Sequence, residues 1–300
     1  MRTAEPWPDV PYKEWRDTKD TLHMYTQVVG KLRLALSPPE PQWAHVALYV
    51  TARGLTTGPI PYQERVFQVD FDLIEHGLTI SSSDGGVHRQ ALGPGPVAAF
   101  YDQVMKGLRS LGIDVRISTM PQEVPDPIPF PDDTVHASYD PASVTRFWRA
   151  LVQVDQVLRV HRSTFLGRSS PVNFFWGTFD LAYARYSGHP AEPPAGAGII
   201  YRRSADAEQI CAGFWAGDER HPRPAFFSYT YPKPQRLERA EIHPSAASWN
   251  QEIGEFLIDY DAIRTAPSPA KDLLAFFRST YEVGATLSGW EPKLSGIEAP

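Results

Sequence analysis

The sequence predicts an α+β fold in which amphipathic helices pack on antiparallel sheets. Three observations predict it. Apolar residues recur at steps of three and four in some windows and at every second position in others, the periods of a helix and of a half-buried strand. Glycine-containing turn signals, Glu75-His76-Gly77 and Asp84-Gly85-Gly86, separate the alternating windows at hairpin spacing. Proline is the third: 29 of 300 residues, roughly twice the usual ~5%, and clustered, so that the proline-free windows mark where regular structure can form.

Residues 12–37 read as a helix, with Leu22, Tyr25, Val29, Leu32 and Leu36 as one apolar stripe. Residues 43–51 alternate (Ala44, Val46, Leu48, Val50) and are predicted as a strand, as are 66–74, where Phe67, Val69, Phe71 and Leu73 point inward between Gln68, Asp70 and Asp72. Glu75-His76-Gly77 turns the chain into 78–82, and Asp84-Gly85-Gly86 turns it again into 87–91. Pro96 opens a helix carrying Val97, Tyr101, Val104, Leu108 and Leu111, which Gly112 ends. Residues 113–119 read as a strand. Asp140-Pro141 caps and starts the next helix, with Val144, Phe147, Leu151, Val154 and Leu158 along it. A long aromatic strand is expected over 172–187, then strands at 199–203, 209–215, 225–231 and 256–260. Pro269 opens the last helix.

The five prolines at 121, 125, 127, 129 and 131 form an extended linker of polyproline character. They divide the chain into halves, 1–120 and 132–300. Each half runs from strands to a proline-initiated helix, at Pro96 and Pro269, an order compatible with a structural pseudo-repeat inside one 1–300 unit.

The formal net charge of −6 argues against nucleic acid as a partner, since a phosphate backbone is met with Lys and Arg in excess. No apolar run reaches the ~20 residues of a membrane span, and the first residues hold no apolar signal core. With one cysteine, Cys211, no internal disulfide can form. A soluble protein of a bacterial-type cytoplasm is expected. The glycine-rich phosphate loops, the dinucleotide fingerprint, the zinc-protease helix and the serine-hydrolase elbow are all missing from the sequence. No cofactor and no metal site are therefore predicted, and oligomeric state stays open.

Polar residues among apolar ones supply the candidate site. His23, Gln27 and Lys31 form a stripe at i, i+4 and i+8 on the first helix, a solvated face unless it looks into a cleft. His136 and Tyr139 stand just before the helix that Asp140 caps, where backbone N–H groups favour anions. On the aromatic strand, alternation sets Trp176 and Asp180 on one face and Arg185 on the other. An Asp180–Arg185 ion pair within the sheet is the plainer reading, a carboxyl of raised pKa the functional one. Arg146, Arg149, Arg159, Arg162 and Arg168, with His161, make 142–168 locally basic; guanidinium groups suit an anionic ligand, and surface pairing is the commoner use. Cys211, inside Ile210-Cys211-Ala212-Gly213-Phe214, reads as a small core residue.

Several blocks carry a family resemblance. Residues 21–31 (TLHMYTQVVGK), 45–57 (HVALYVTARGLTT), 136–140 (HASYD) and 170–181 (SPVNFFWGTFDL) resemble, in order, the signature blocks of a bacterial family, the domain of unknown function 5996. Gly213-Phe214-Trp215 and Ser279-Thr280-Tyr281-Glu282 extend the likeness over nearly the whole chain. The resemblance implies a single full-length unit and brings with it no activity, substrate or catalytic residue. Asn173 departs from the pattern, standing where the family often carries a histidine.

The function expected is a small-molecule binding protein or enzyme with a polar–aromatic pocket and a small anionic ligand. Its acid–base candidates are His23, His136, Tyr139 and Asp180. Its ligand-binding candidates are Gln27, Lys31, His45, Arg53, Trp176 and Arg185. The alternative is a non-catalytic interaction or scaffold module, for which eight Trp and thirteen Tyr would supply contact surface.

Overall fold

A computed structural model describes residues 7–294. Its elements confirm the α+β class, with two antiparallel sheets of six strands each. Helix α1 (Tyr12–Leu36) is followed by strands β1 (Tyr49–Val50), β2 (Gly54–Thr56), β3 (Ile60–Tyr62), β4 (Arg65–Asp72), β5 (Gly77–Ser82) and β6 (Val87–Ala91), then α2 (Val97–Ser110). After the linker come α3 (Pro141–Ser163), β7 (Asn173–Phe175), β8 (Asp180–Pro190), the short α4 (Ile199–Ser204), β9 (Ala207–Trp215), β10 (Ala225–Tyr231), β11 (Ser248–Asn250), β12 (Glu255–Asp259), α5 (Tyr260–Arg264) and α6 (Pro269–Leu287).

The first sheet has the order β1-β2-β4-β5-β6, and β3 shares an edge of β4 with β2. Its inward residues are those the alternation marks: Phe67, Val69 and Phe71 are buried while Gln68 and Asp70 are not. The second sheet runs β11-β12-β10-β9-β8-β7. The two sheets touch edge to edge where Leu48 and Phe174 exchange backbone hydrogen bonds of 2.9 and 2.8 Å. On each side of the proline-rich segment a long helix precedes six strands and another follows them, with the short α4 and α5 added in the second part. One contiguous apolar core joins Leu22 and Phe71 of the first part to Leu151 and Phe277 of the second.

Four segments differ from the sequence expectation. Residues 43–46 belong to a 3-10 turn at Pro41–Val46, where Gln42 and Trp43 take positive φ, so only Tyr49–Val50 remains a strand. Residues 113–119 form no strand and carry no regular secondary structure. Residues 199–203 are helical. The β-branched pair Ile199-Ile200 imitates a strand, but Gly198 precedes a turn that packs on the 3-10 segment, with Trp43 Nε1 donating to the Ile200 carbonyl at 2.9 Å. The aromatic strand is two strands, because the chain reverses at Trp176–Phe179: Phe179 takes φ +57° and its N–H returns to the Phe175 carbonyl at 2.8 Å. That reversal resets the alternation, so Asp180 shares a face with Asn173 and Phe175 rather than with Trp176.

Helix α1 runs through the middle of the molecule, and every residue from Thr21 to Arg33 is buried. The polar stripe is therefore not a solvated face. Each of its side chains hydrogen-bonds the backbone of an irregular segment that lies across it. His23 Nε2 lies 2.9 Å from the Trp176 carbonyl and 3.0 Å from that of Gly177. Gln27 holds Gln122 by two bonds, accepting from its N–H at 2.9 Å and donating to its carbonyl at 2.7 Å. Lys31 donates to the Met120 carbonyl at 2.8 Å, and Arg33 donates to the carbonyls of His45 and Thr57. Buried backbone groups outside regular structure need such partners. Gly30 completes the face: a Cβ there would lie 2.1 Å from the Trp176 indole, so only glycine admits that ring.

Candidate functional site

Helices α3 and α6 cover one face of the second sheet. The other face forms the floor of a cavity of about 1180 Å³. Antiparallel partners share a face, so the register gives the floor as rows. Phe175, Asp180 and Trp215 form one row; Asn173, Ala182, Gly213 and Phe227 the next; Ala184, Cys211 and Tyr229 the third. Small side chains in the middle of the sheet leave room, and aromatic ones stand at the ends of the rows. The proline-rich residues Gln122–Ile128, the His23 face of α1, and Trp43 form other walls.

Asp180 is 9% exposed and has no cation partner among the described residues. Thr178 donates its hydroxyl to the carboxylate. Burial, reinforced by Glu123, pushes the carboxyl up to about 7, the expected response of an acid taken out of water. Glu255 on β12 is likewise pushed up to about 7 by burial and by Asp180, and desolvation raises Glu123. The Glu123 carboxylate lies over Gly177, where a Cβ would approach its Oε2 to 2.3 Å. Cys211 is buried and unpaired; its thiol is raised by burial and by Asp180 and Glu255, which keeps it protonated and unreactive.

His23 and His136 both line the cavity. His23 is pushed down to about 3, by burial first and by Lys19 next. Its ring is neutral, with Nε2–H donating to the two carbonyls and Nδ1 left as an acceptor. His136 Nδ1 donates to Asp133 at 2.7 Å. Asp133 is fully buried and also accepts the backbone N–H groups of Val135 and His136. A carboxylate that fixes one ring nitrogen leaves the other, Nε2, as the basic atom.

Of the acid–base and ligand-binding candidates named from sequence, the structure brings His23, His136, Trp176 and Asp180 to the cavity. The others lie elsewhere, for definite reasons. Gln27 and Lys31 are consumed by backbone of 120–122. The His45 ring accepts from the Glu40 N–H at 3.1 Å and stacks on Trp43. Arg53 is a surface residue paired with Asp72 at 2.6 Å. Tyr139 faces α1 and the β4–β5 turn, with its hydroxyl 3.0 Å from His76 Nδ1. Arg185 is on the opposite face of β8, stacked on Phe165 and Tyr281 and donating to the His161 carbonyl and the Tyr183 hydroxyl. The Asp180–Arg185 ion pair is thereby ruled out, since neighbours of opposite parity on a strand point away from each other. Within the basic run Arg159 pairs with Asp155 at 2.5 Å and Arg162 donates to the Ser170 carbonyl at 2.7 Å, both at the surface, whereas His161 is buried against the Tyr183 hydroxyl and held neutral by desolvation.

Sequence reading missed Asp133, Asn173 as a polar group of the floor, Glu123 and Glu255. Asp133-Thr134-Val135-His136 carried a usable signal, an Asp three residues before a His in a turn. Glu255 opens a strand that continues with the apolar Phe256-Leu257-Ile258. Nothing local marks Glu123.

The lining is rich in acids. Seven carboxyl groups line the cavity against two permanent cations, Lys19 and Arg220. Lys19 is paired with Asp20 at 2.7 Å and Arg220 with Asp218 at 2.8 Å, which leaves the acids in excess. Among the described residues the exposed large apolar side chains include one aromatic, Tyr201. No described helix is long and apolar enough to cross a membrane.

These features define an α+β protein with a large, acidic, aromatic-walled cavity on one sheet. The chain belongs to the Family of unknown function (DUF5996), matched over residues 7–296. No curated protein and no solved structure matches it.

Proposed function

We propose that this protein binds a small organic molecule in the cavity on the second sheet and moves protons to or from it. The observation that carries the reading is Asp180, an unpaired carboxyl sunk between Phe175 and Trp215, with a pKa near 7. Groups tuned toward the working pH in a concave, largely apolar site are how proteins perform general acid–base chemistry. Asp180 and Glu255 supply acids that hold or release a proton at neutral pH. His136, oriented by Asp133, supplies a base on another wall. The lone buried cysteine and the negative net charge support a cytoplasmic protein without a nucleic-acid partner.

The test is a fragment screen by ligand-observed NMR, followed by incubation of the protein with the small-molecule fraction of a bacterial extract. Fragments should bind wild type and be displaced by filling the floor with Ala182→Phe. Mass spectrometry should show a compound retained or transformed by wild type and untouched by Asp180→Asn. A screen without cavity binders, together with an extract left unaltered, overturns the reading.

A further inference from the structure

We propose that the cavity receives a small organic cation, an amine or guanidinium compound with an apolar body. This rests on the reading of the cavity as the binding site and commits it to one ligand chemistry.

The first observation is the charge of the wall. With Lys19 and Arg220 paired to Asp20 and Asp218, the other five lining carboxyl groups, Asp180, Glu255, Glu123, Asp126 and Glu219, form no direct ion pair among the described residues, Arg220 acting on Glu255 only from a distance. The second is the row Phe175–Asp180–Trp215. Direct cross-strand neighbours stand about 5 Å apart at Cβ, so a carboxyl is flanked on one face of the sheet by two aromatic side chains. Aromatic faces attract cations, and a carboxylate at the base of such a box supplies the counter-charge. The third is Asn173, one row away. It is 2% exposed, it lines the cavity, and its Oδ1 receives no hydrogen bond. A buried acceptor without a donor is costly, and an ammonium or guanidinium N–H is the donor it lacks.

A metal ion fits less well. Among the described residues no group of three His, Cys, Asp or Glu side chains is placed to hold one. Asp180 is on β8 and Glu255 on β12, with β9 and β10 between them. Carboxyls spread over strands suit a ligand that is itself extended.

Binding of a cation carries a proton signature. Asp180 faces Thr178, Glu123, Cys211 and Glu255, and Glu255 faces Asp180 and Arg220. Near pH 7 Asp180 and Glu255 are each partly protonated. A bound cation favours their ionised form, so protons leave as the ligand enters.

Calorimetric titration at pH 8 with phenethylammonium and spermidine, against 2-phenylethanol and 3-phenylpropionate, tests the inference. The ammonium probes should bind saturably and the other two should not. Affinity should fall by about tenfold or more in Asp180→Asn and in Glu255→Gln, each losing a charge-assisted contact. At pH 7 the heat should vary with the ionisation enthalpy of the buffer, reporting proton release. Melting curves of both variants establish that they fold, and either one that folds serves. Binding of 2-phenylethanol or 3-phenylpropionate as tight as that of phenethylammonium overturns the cation while leaving the cavity a binding site. Failure of the ammonium probes overturns it too, and the fragment screen then decides whether the cavity binds anything.

Discussion

Asp180 and His23 line one cavity, and burial drives their acidities in opposite directions. An unfolded Asp gives up its proton near 3.9, whereas folded Asp180 keeps it until about 7. Between those values the native state holds more protons than the unfolded one, so this group makes stability fall as pH rises. His23 is displaced from 6.5 to about 3. Its native state holds fewer protons across that window, so its contribution is lost as pH falls. The two oppose each other between about pH 4 and 6.5 and separate above it. Asp180→Asn removes the first effect alone. Urea unfolding should find the variant's advantage over wild type larger at pH 8 than at pH 5, by about 1–3 kcal/mol. A gap independent of pH would show that the carboxyl is not held neutral. Asp180 was legible in the sequence as an acid among aromatics. Its partners were not, because Glu123 and Glu255 reach it from a linker and a distant strand.

At the scale of elements, α1 explains both what sequence reading found and what it mistook. Its apolar stripe is where the periodicity puts it. Its polar stripe is equally regular, and regularity cannot tell a face toward water from a face toward carbonyl groups. The covering segments, 120–123 and 176–177, lie far along the chain and bear no pattern that announces them. Gln27 is the clearest case, pairing with both backbone groups of Gln122. Gln27→Ala should cost about 2–3 kcal/mol, leaving two backbone groups unpartnered where water has little access. It should also speed proteolysis within 121–128, the segment that walls the cavity. Unchanged denaturant midpoint and cleavage rate would mean that the linker's prolines alone hold it. The reversal at Trp176–Phe179 belongs to this scale as well. Alternation read straight through it assigns Trp176 and Asp180 to one face, and a single positive φ at Phe179 undoes the assignment.

At the scale of the molecule, the proline-rich segment is a wall as well as a connection. The chain looks divisible at 121–131, since an antiparallel sheet and a proline-initiated helix lie on each side. One apolar core nevertheless spans both sides, through α1, α3 and the joined strands at Leu48 and Phe174. Residues 1–120 and 132–300 expressed separately should lack sharp melting transitions and bind a hydrophobic dye, because each exposes its share of that core. Two independently cooperative halves would contradict a shared core.

The sequence by itself determined the class of fold, most helices and hairpins, and the identity of the acid in the aromatic stretch. These follow from periods of two and 3.6 and from residues that stop or start backbone hydrogen bonding, all local effects. Tertiary structure alone decided which polar residues meet a ligand and which meet backbone. His136 and Tyr139 are neighbours in sequence, yet one lines the cavity and the other packs near His76. Whether a side chain finds water, a carbonyl or a cavity depends on chain that arrives from elsewhere, and desolvation, the effect that tunes Asp180 and His23, exists only once that chain has arrived.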